Sequence, residues 1–193
     1  MLSRLTTKFK KYFNKNNVNI KLDPSTIVAK HVYISHDSKI GRYCYINEYA
    51  RLTKVKVGNF VSIGNNVAIG QGEHDISKLS TSTRFINNSY EDLTQKDCVV
   101  ESDSWLGSYS FIKRGVRVGY GSVIGTHAVV TKDVPNFAIV VGVPAKVIGY
   151  RFEKEVIKKL LEISWWNWDD DLISKYKTLF DGKVCLNKLK DFF

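Results

Sequence analysis

The sequence has little of what staples a small fold or crosses a membrane. Its three cysteines, Cys44, Cys98 and Cys185, lie far apart, and none stands in the close Cys/His spacing that a structural zinc site needs. They read as buried or idle thiols of a reducing cytoplasm. No apolar run approaches the roughly 20 residues of a spanning helix, and Met1 to Lys21 lacks the apolar stretch of a secretory signal. A cytoplasmic location is therefore the expectation. Hydrophobic residues at 44% and charged residues at 25% exclude the composition of a disordered chain. At 193 residues the chain can bury a full core without staples, and a second catalytic domain would be hard to fit.

Positive charge is in excess, a formal +10. A basic surface is the footprint of phosphate binding, so nucleic acid is one reading; no base-stacking platform or recognition motif supports it, and no nucleic-acid partner is expected. Much of the charge crowds into Arg4, Lys8, Lys10, Lys11, Lys15 and Lys21. These belong to a basic leader, residues 1–27, that also places Leu2, Leu5, Phe9 and Phe13 at helical spacing. Such a leader packs on the domain, offers a solvated face, or touches an anionic membrane surface peripherally.

The dominant signal is a period of six. Aliphatic residues recur at Val28, Ile34, Ile40, Ile46 and Leu52, resume after a one-residue slip at Val57, Ile63 and Ile69, and run again through Val100, Leu106, Ile112, Val118, Ile124 and Val130. The fourth position after each is mostly small or β-branched, as in Val32, Ser38, Cys44, Ala50, Val61 and Val67, with Lys56 and Glu73 breaking the pattern. Glycine follows the aliphatic at Gly41, Gly58, Gly64, Gly70, Gly107, Gly119 and Gly125, and Asn47 replaces it once; these residues accept unusual backbone angles at tight corners. The pattern predicts an all-β solenoid over 28–147. Short strands form three faces of a triangular coil, and coils stack at about 4.8 Å with aliphatic ladders inside.

Both ends of such a prism need covering. The leader can cover one end; the extension 148–193 can cover the other or pack along the side. Phe152 to Tyr176 reads as helical, with Val156, Ile157, Leu160, Leu161 and Ile163 on one stripe. The stretch from Asp181 to Phe193 carries no readable pattern.

The period fails over 71–99, and a long excursion from a strict solenoid is where function is usually mounted. It opens with Gln71-Gly72-Glu73-His74-Asp75, which holds one of only four histidines. The other three, His31, His36 and His127, fall inside repeats and read as coil or corner residues.

The hexapeptides, the Gly72-Glu73-His74 loop, Trp105-Leu106-Gly107-Ser108, Val130-Thr131-Lys132-Asp133-Val134 and Gly142-Val143-Pro144-Ala145-Lys146 resemble the hexapeptide acetyltransferases. Arg151-Phe152 and Trp165-Trp166-Asn167-Trp168 resemble the branch holding xenobiotic acetyltransferases and related polysaccharide O-acetyltransferases. The resemblance implies a left-handed parallel β-helix with an extended loop and terminal helices. It also implies acetyl-CoA as cosubstrate, no metal, and a homotrimer with active sites between subunits. By the same resemblance His74 is the general base, a role that suits an imidazole near neutral pH.

Further roles carry over residue by residue. The backbone at Gly107 and Ser108 would lie near the thioester, and Trp105 would line the acyl pocket or simply pack. Thr131, Lys132, Lys146 and Arg151 would meet CoA, although lysines on so basic a chain also read as solvated. Asn47 would face the acceptor or merely serve its corner. Glu73 and Asp75 flank His74 as acceptor-side candidates; either of them, or a backbone carbonyl, could orient the ring.

For the acceptor, His74-Asp75 followed by Ser80-Thr81-Ser82-Thr83-Arg84-Phe85 resembles polysaccharide acetyltransferases more than the drug-modifying enzymes, which implies a sugar hydroxyl in capsular or lipopolysaccharide synthesis. The alternatives are a xenobiotic alcohol such as chloramphenicol or a streptogramin, an amino sugar, or a non-catalytic scaffold.

Overall fold

The computed structural model describes residues 20–190. Most of the basic leader, including its apolar stripe, lies outside the described residues. From Ile27 the chain winds into a left-handed parallel β-helix of about six coils. The first face stacks β1 (Ile27–Val28), β4 (Tyr45–Ile46), β7 (Ser62–Ile63), β10 (Trp105–Leu106), β13 (Val123–Ile124) and β15 (Ala138–Val141), with β16 (Lys146–Tyr150) returning antiparallel along β15. The second face stacks β2 (Tyr33–Ile34), β5 (Arg51–Leu52), β8 (Ala68–Ile69), β11 (Phe111–Ile112) and β14 (Val129–Val130). The third stacks β3 (Lys39–Ile40), β6 (Val55–Val57), β9 (Cys98–Val100) and β12 (Arg117–Val118), where Val134 adds a bridge to Val118.

The six-residue period becomes ladders of direct partners. Ile46 pairs with Ile63, Ile63 with Leu106, and Leu106 with Ile124; all four are buried. Most strands alternate a buried aliphatic with an outward residue, as a pleat requires, Val28 and Ile40 at the open end being partly buried, and one continuous apolar core fills the prism. The one-residue slip does not shift the register: a shortened corner at Thr53-Lys54, with Lys54 at φ 44°, lets Val57 still pair with Ile40. Val55 takes the inward place, and Lys56 points outward to Asp97 at 2.6 Å. The break at Lys56 is thus a frame effect of the short corner and not a defect in the core.

The glycines serve closeness more than conformation. Of the seven that follow an aliphatic, only Gly70 has a positive φ. A Cβ on Gly64 would sit 2.7 Å from the backbone nitrogen of Ser108, and one on Gly107 would sit 2.7 Å from that of Thr126. Side chains there would push the coils apart. The left-handed corner residues lie two positions later and are mostly not glycine: His31, Tyr49, Asn66, Tyr109 and His127 at the first corner. On either side of Asn66 the rings stack in pairs between adjacent coils, Tyr109 on His127 at 4.9 Å and His31 on Tyr49 at 5.0 Å, which offsets part of the steric cost of that backbone region.

The C-terminal extension packs along the third corner. The expected single helix is broken: α2 (Lys154–Ile163; α1 lies in the excursion, below) ends at Ser164, φ 46°, before a 3-10 turn (Trp165–Asn167) and α3 (Asp170–Lys175). The turn lets Trp166 stack on Tyr120 at 4.8 Å and Trp165 meet Phe60 at 4.9 Å, contacts a straight helix would not reach. Arg42 fastens α3 through Asp170 at 2.7 Å. A final helix, α4 (Leu186–Lys190), buries Leu189 in the same satellite cluster. Among the described residues no helix is long and apolar enough to cross a membrane.

Candidate active site

The excursion leaves the second corner after β8 and returns at β9, so its two feet stand side by side. Between them lies Arg114, 5% exposed. Its Nη2 donates to the Thr53 carbonyl at 2.7 Å, and its Nη1 donates to those of Lys54 (3.0 Å) and Lys96 (3.2 Å). A Cβ on Gly70 would lie 3.1 Å from the guanidinium carbon. One cation therefore meets the carbonyls that the short corner leaves over and ties both feet down.

Beyond the foot, Gln71 Nε2 donates to the carbonyls of Arg51 and Ile69. The Glu73 N–H donates to the Leu93 carbonyl at 3.0 Å. Leu93 ends a short helix, α1 (Ser89–Leu93). His74 comes next, exposed, with Nδ1 2.6 Å from the Thr81 carbonyl oxygen. A carbonyl can only accept, so Nδ1 carries the proton and the neutral ring presents Nε2 as its lone-pair atom.

The flanking carboxylates are occupied elsewhere. Glu73 pairs with Lys113 Nζ at 3.1 Å. Asp75 accepts from the backbone N–H and hydroxyl of Ser77 at 2.9 and 2.6 Å, and these bonds hold its carboxyl below the usual carboxylate range. The ring is oriented by a backbone carbonyl.

Asn47, Gly107 and Ser108 share the first corner. Asn47 Oδ1 accepts from the Glu48 N–H at 2.8 Å. The Gly107 N–H is committed to the Ile124 carbonyl at 2.8 Å, whereas that of Ser108 has no partner among the described residues. Trp105, 56% exposed, stands on the first face between Ser62 and Val123. Thr131 and Lys132 lie exposed at the second corner, one coil beyond Lys113; Lys146 opens β16. Neither Lys132 nor Lys146 has an ion-pair partner among the described residues. Arg151 lies apart at the third corner, bonded to Asp103 and the Gly121 carbonyl, each at 2.8 Å.

Within one chain, then, His74 does not meet Trp105. The corner between the second and third faces stands opposite the first face in any triangular prism. Among the described residues no cluster of His, Cys, Asp and Glu is arranged to hold a metal.

Thr81 enters the reading of the sequence only within the stretch Ser80 to Phe85, and Lys113, Leu93 and Arg114 do not enter it. Thr81 and Leu93 contribute only a carbonyl, which any residue could supply. Arg114 was traceable in principle, as a cation stacked above the coil with a missing residue, but only once the coil register is known.

No family model matches the chain. It is similar to a chloramphenicol acetyltransferase of Agrobacterium fabrum, 37% identical with 81% of this chain and 85% of that protein covered. A chloramphenicol acetyltransferase of Escherichia coli is 35% identical over 67% of this chain and 75% of its own. Among solved structures, a hexapeptide-repeat acetyltransferase of Vibrio cholerae in complex with acetyl-CoA superposes with a TM-score of 0.53, at 20% identity over 79% of each chain.

Proposed function

Because this chain belongs to the xenobiotic branch of the hexapeptide-repeat acetyltransferases, we propose that it transfers the acetyl group of acetyl-CoA to a hydroxyl of a small, largely apolar alcohol of the chloramphenicol kind, with His74 as general base. The observation that carries this reading is the bond from His74 Nδ1 to Thr81, which leaves Nε2 as an acceptor on an exposed stretch near the base of the loop. Nε2 takes the proton of the acceptor hydroxyl while the oxygen attacks the thioester carbonyl carbon. The Thr81 carbonyl steadies the imidazolium that forms. The oxyanion is met by the Ser108 N–H, since that of Gly107 is already spent. Collapse breaks the C–S bond, the imidazolium returns its proton to the departing sulfur, and the products are the acetyl ester and CoA.

The acceptor preference read from the sequence changes. The likeness of the stretch Ser80 to Phe85 to polysaccharide acetyltransferases implies a sugar hydroxyl, but two of its four hydroxyls have local work: Ser80 Oγ accepts from the Ser82 N–H, and Ser82 Oγ caps the turn Thr83–Phe85 through the Arg84 N–H. The same loop turns Ile76, Leu79 and Phe85 outward, at 88%, 108% and 68% exposure, a wall for an apolar acceptor and a poor one for a sugar. The naming of the relatives that cover two thirds or more of the chain favours the same class.

Lys132 and Lys146, exposed and without an ion-pair partner among the described residues, suit the phosphates of CoA, with Thr131 next to Lys132. The opposition of His74 and Trp105 supports a site shared between copies, the loop of one prism reaching the first face of the next, in a closed symmetric oligomer such as a trimer. Steady-state acetylation with acetyl-CoA, offered chloramphenicol and a galactoside in parallel, tests the reading. Rapid transfer to chloramphenicol that is lost in His74→Ala supports it; transfer to the galactoside alone overturns the acceptor assignment.

A further inference from the structure

A third anchor holds the excursion, and it reaches to the first coil. The Tyr90 hydroxyl on α1 donates to Asp37 Oδ1 at 2.8 Å, and the Tyr90 ring lies 5.9 Å from that of His36. Asp37 is itself fixed: the same oxygen accepts from Ser35 Oγ at 2.6 Å, and Ser35 Oγ accepts from the Lys54 N–H at 2.7 Å. The corner that receives Tyr90 is thus part of the stacked prism.

From Tyr90 the connection to His74 is short. Thr94 Oγ1 donates to the Tyr90 carbonyl at 2.6 Å and closes α1. The Leu93 carbonyl holds the N–H of Glu73, the residue before His74. A Cβ on Gly72 would lie 3.0 Å from Leu93 Cβ, so a side chain at position 72 would crowd Leu93.

A five-residue helix with no buried side chain cannot stand by itself, nor does it add to the core. Its place is set by these hydrogen bonds. We infer that Tyr90, through Asp37, is a positioning residue that fixes α1 and with it the height and angle at which His74 meets the acceptor. The inference rests on the proposed role of His74.

Tyr90→Phe and Asp37→Asn in the full chain test it. Each lowers kcat for acceptor acetylation about tenfold, since displacement of a reacting group by about 1 Å can cost 10²-fold. The KM for acetyl-CoA and the unfolding midpoint stay at wild-type values, and Tyr90→Phe adds no loss on a His74→Ala background. A merely structural role would instead move KM or the midpoint, or multiply onto His74→Ala, and any of these overturns the inference. It also fails alone if His74→Ala is inactive while Tyr90→Phe and Asp37→Asn keep kcat within about twofold of wild type. Wild-type turnover in His74→Ala removes the proposed function and this inference together.

Discussion

Nδ1 of His74 and the carbonyl oxygen of Thr81 lie 2.6 Å apart, and this bond fixes the tautomer of the ring. An asparagine can keep it, because its amide nitrogen occupies the place of Nδ1 while nothing replaces Nε2. His74→Asn is therefore expected to preserve the loop and acetyl-CoA affinity but to lose about 10²–10⁴-fold in turnover, the usual worth of a general base. Turnover within about tenfold of wild type would place the base elsewhere.

Arg114 donates to three carbonyls from a buried position. Arg114→Met keeps much of the volume and leaves those oxygens without a donor, for an expected loss of about 2–4 kcal/mol in urea unfolding. Hydrogen exchange should quicken at both feet of the excursion, near Gly70 and Lys96. A change below about 0.5 kcal/mol, ordinary for a surface substitution, would show that the guanidinium does not hold them.

Burial raises the Asp103 carboxyl above the usual carboxylate range, against the pull of Arg151. A carboxyl with a raised folded-state pKa lends stability that is complete below its unfolded value, about 3.9, and fades as pH rises through the folded value. Asp103→Asn removes this titration, and at φ 61° asparagine is at home. Wild-type stability, measured relative to Asp103→Asn, should fall as pH rises from about 3.9 through the folded value. A flat difference, or one of opposite slope, would contradict the assignment.

Cys44 and Cys98 are buried, and desolvation pushes both thiols up to about 11. At pH 8 a chromogenic disulfide reagent should modify Cys185 alone in the native protein and the other two only after denaturation. Fast modification of more than one thiol would mean that the prism opens readily.

Much of the architecture was legible because one rule repeats. A branched aliphatic every six residues has to face inward at every turn, and only a three-sided coil lets Ile46, Ile63, Leu106 and Ile124 do so in register. The excursion was legible as the place where that rule stops, and His74 as the titratable side chain near its start. The stripe Val156, Ile157, Leu160, Leu161 and Ile163 was legible by the same logic of period; Val156, Leu160 and Ile163 are buried, and Ile157 and Leu161 partly so.

The sequence by itself thus determined the column, its loop and the residue types at the loop's base, because these follow from local spacing and the need to bury apolar surface. Tertiary structure alone decided which carbonyl holds His74, why the glycines are glycines, how the short corner at Thr53 is mended from Arg114, 61 residues away, and that His74 and Trp105 stand on opposite sides of one prism. Each of these depends on which coil lies above which, and the regular spacing from coil to coil is broken by the short corner and by the excursion, so partners across them cannot be counted off along the chain.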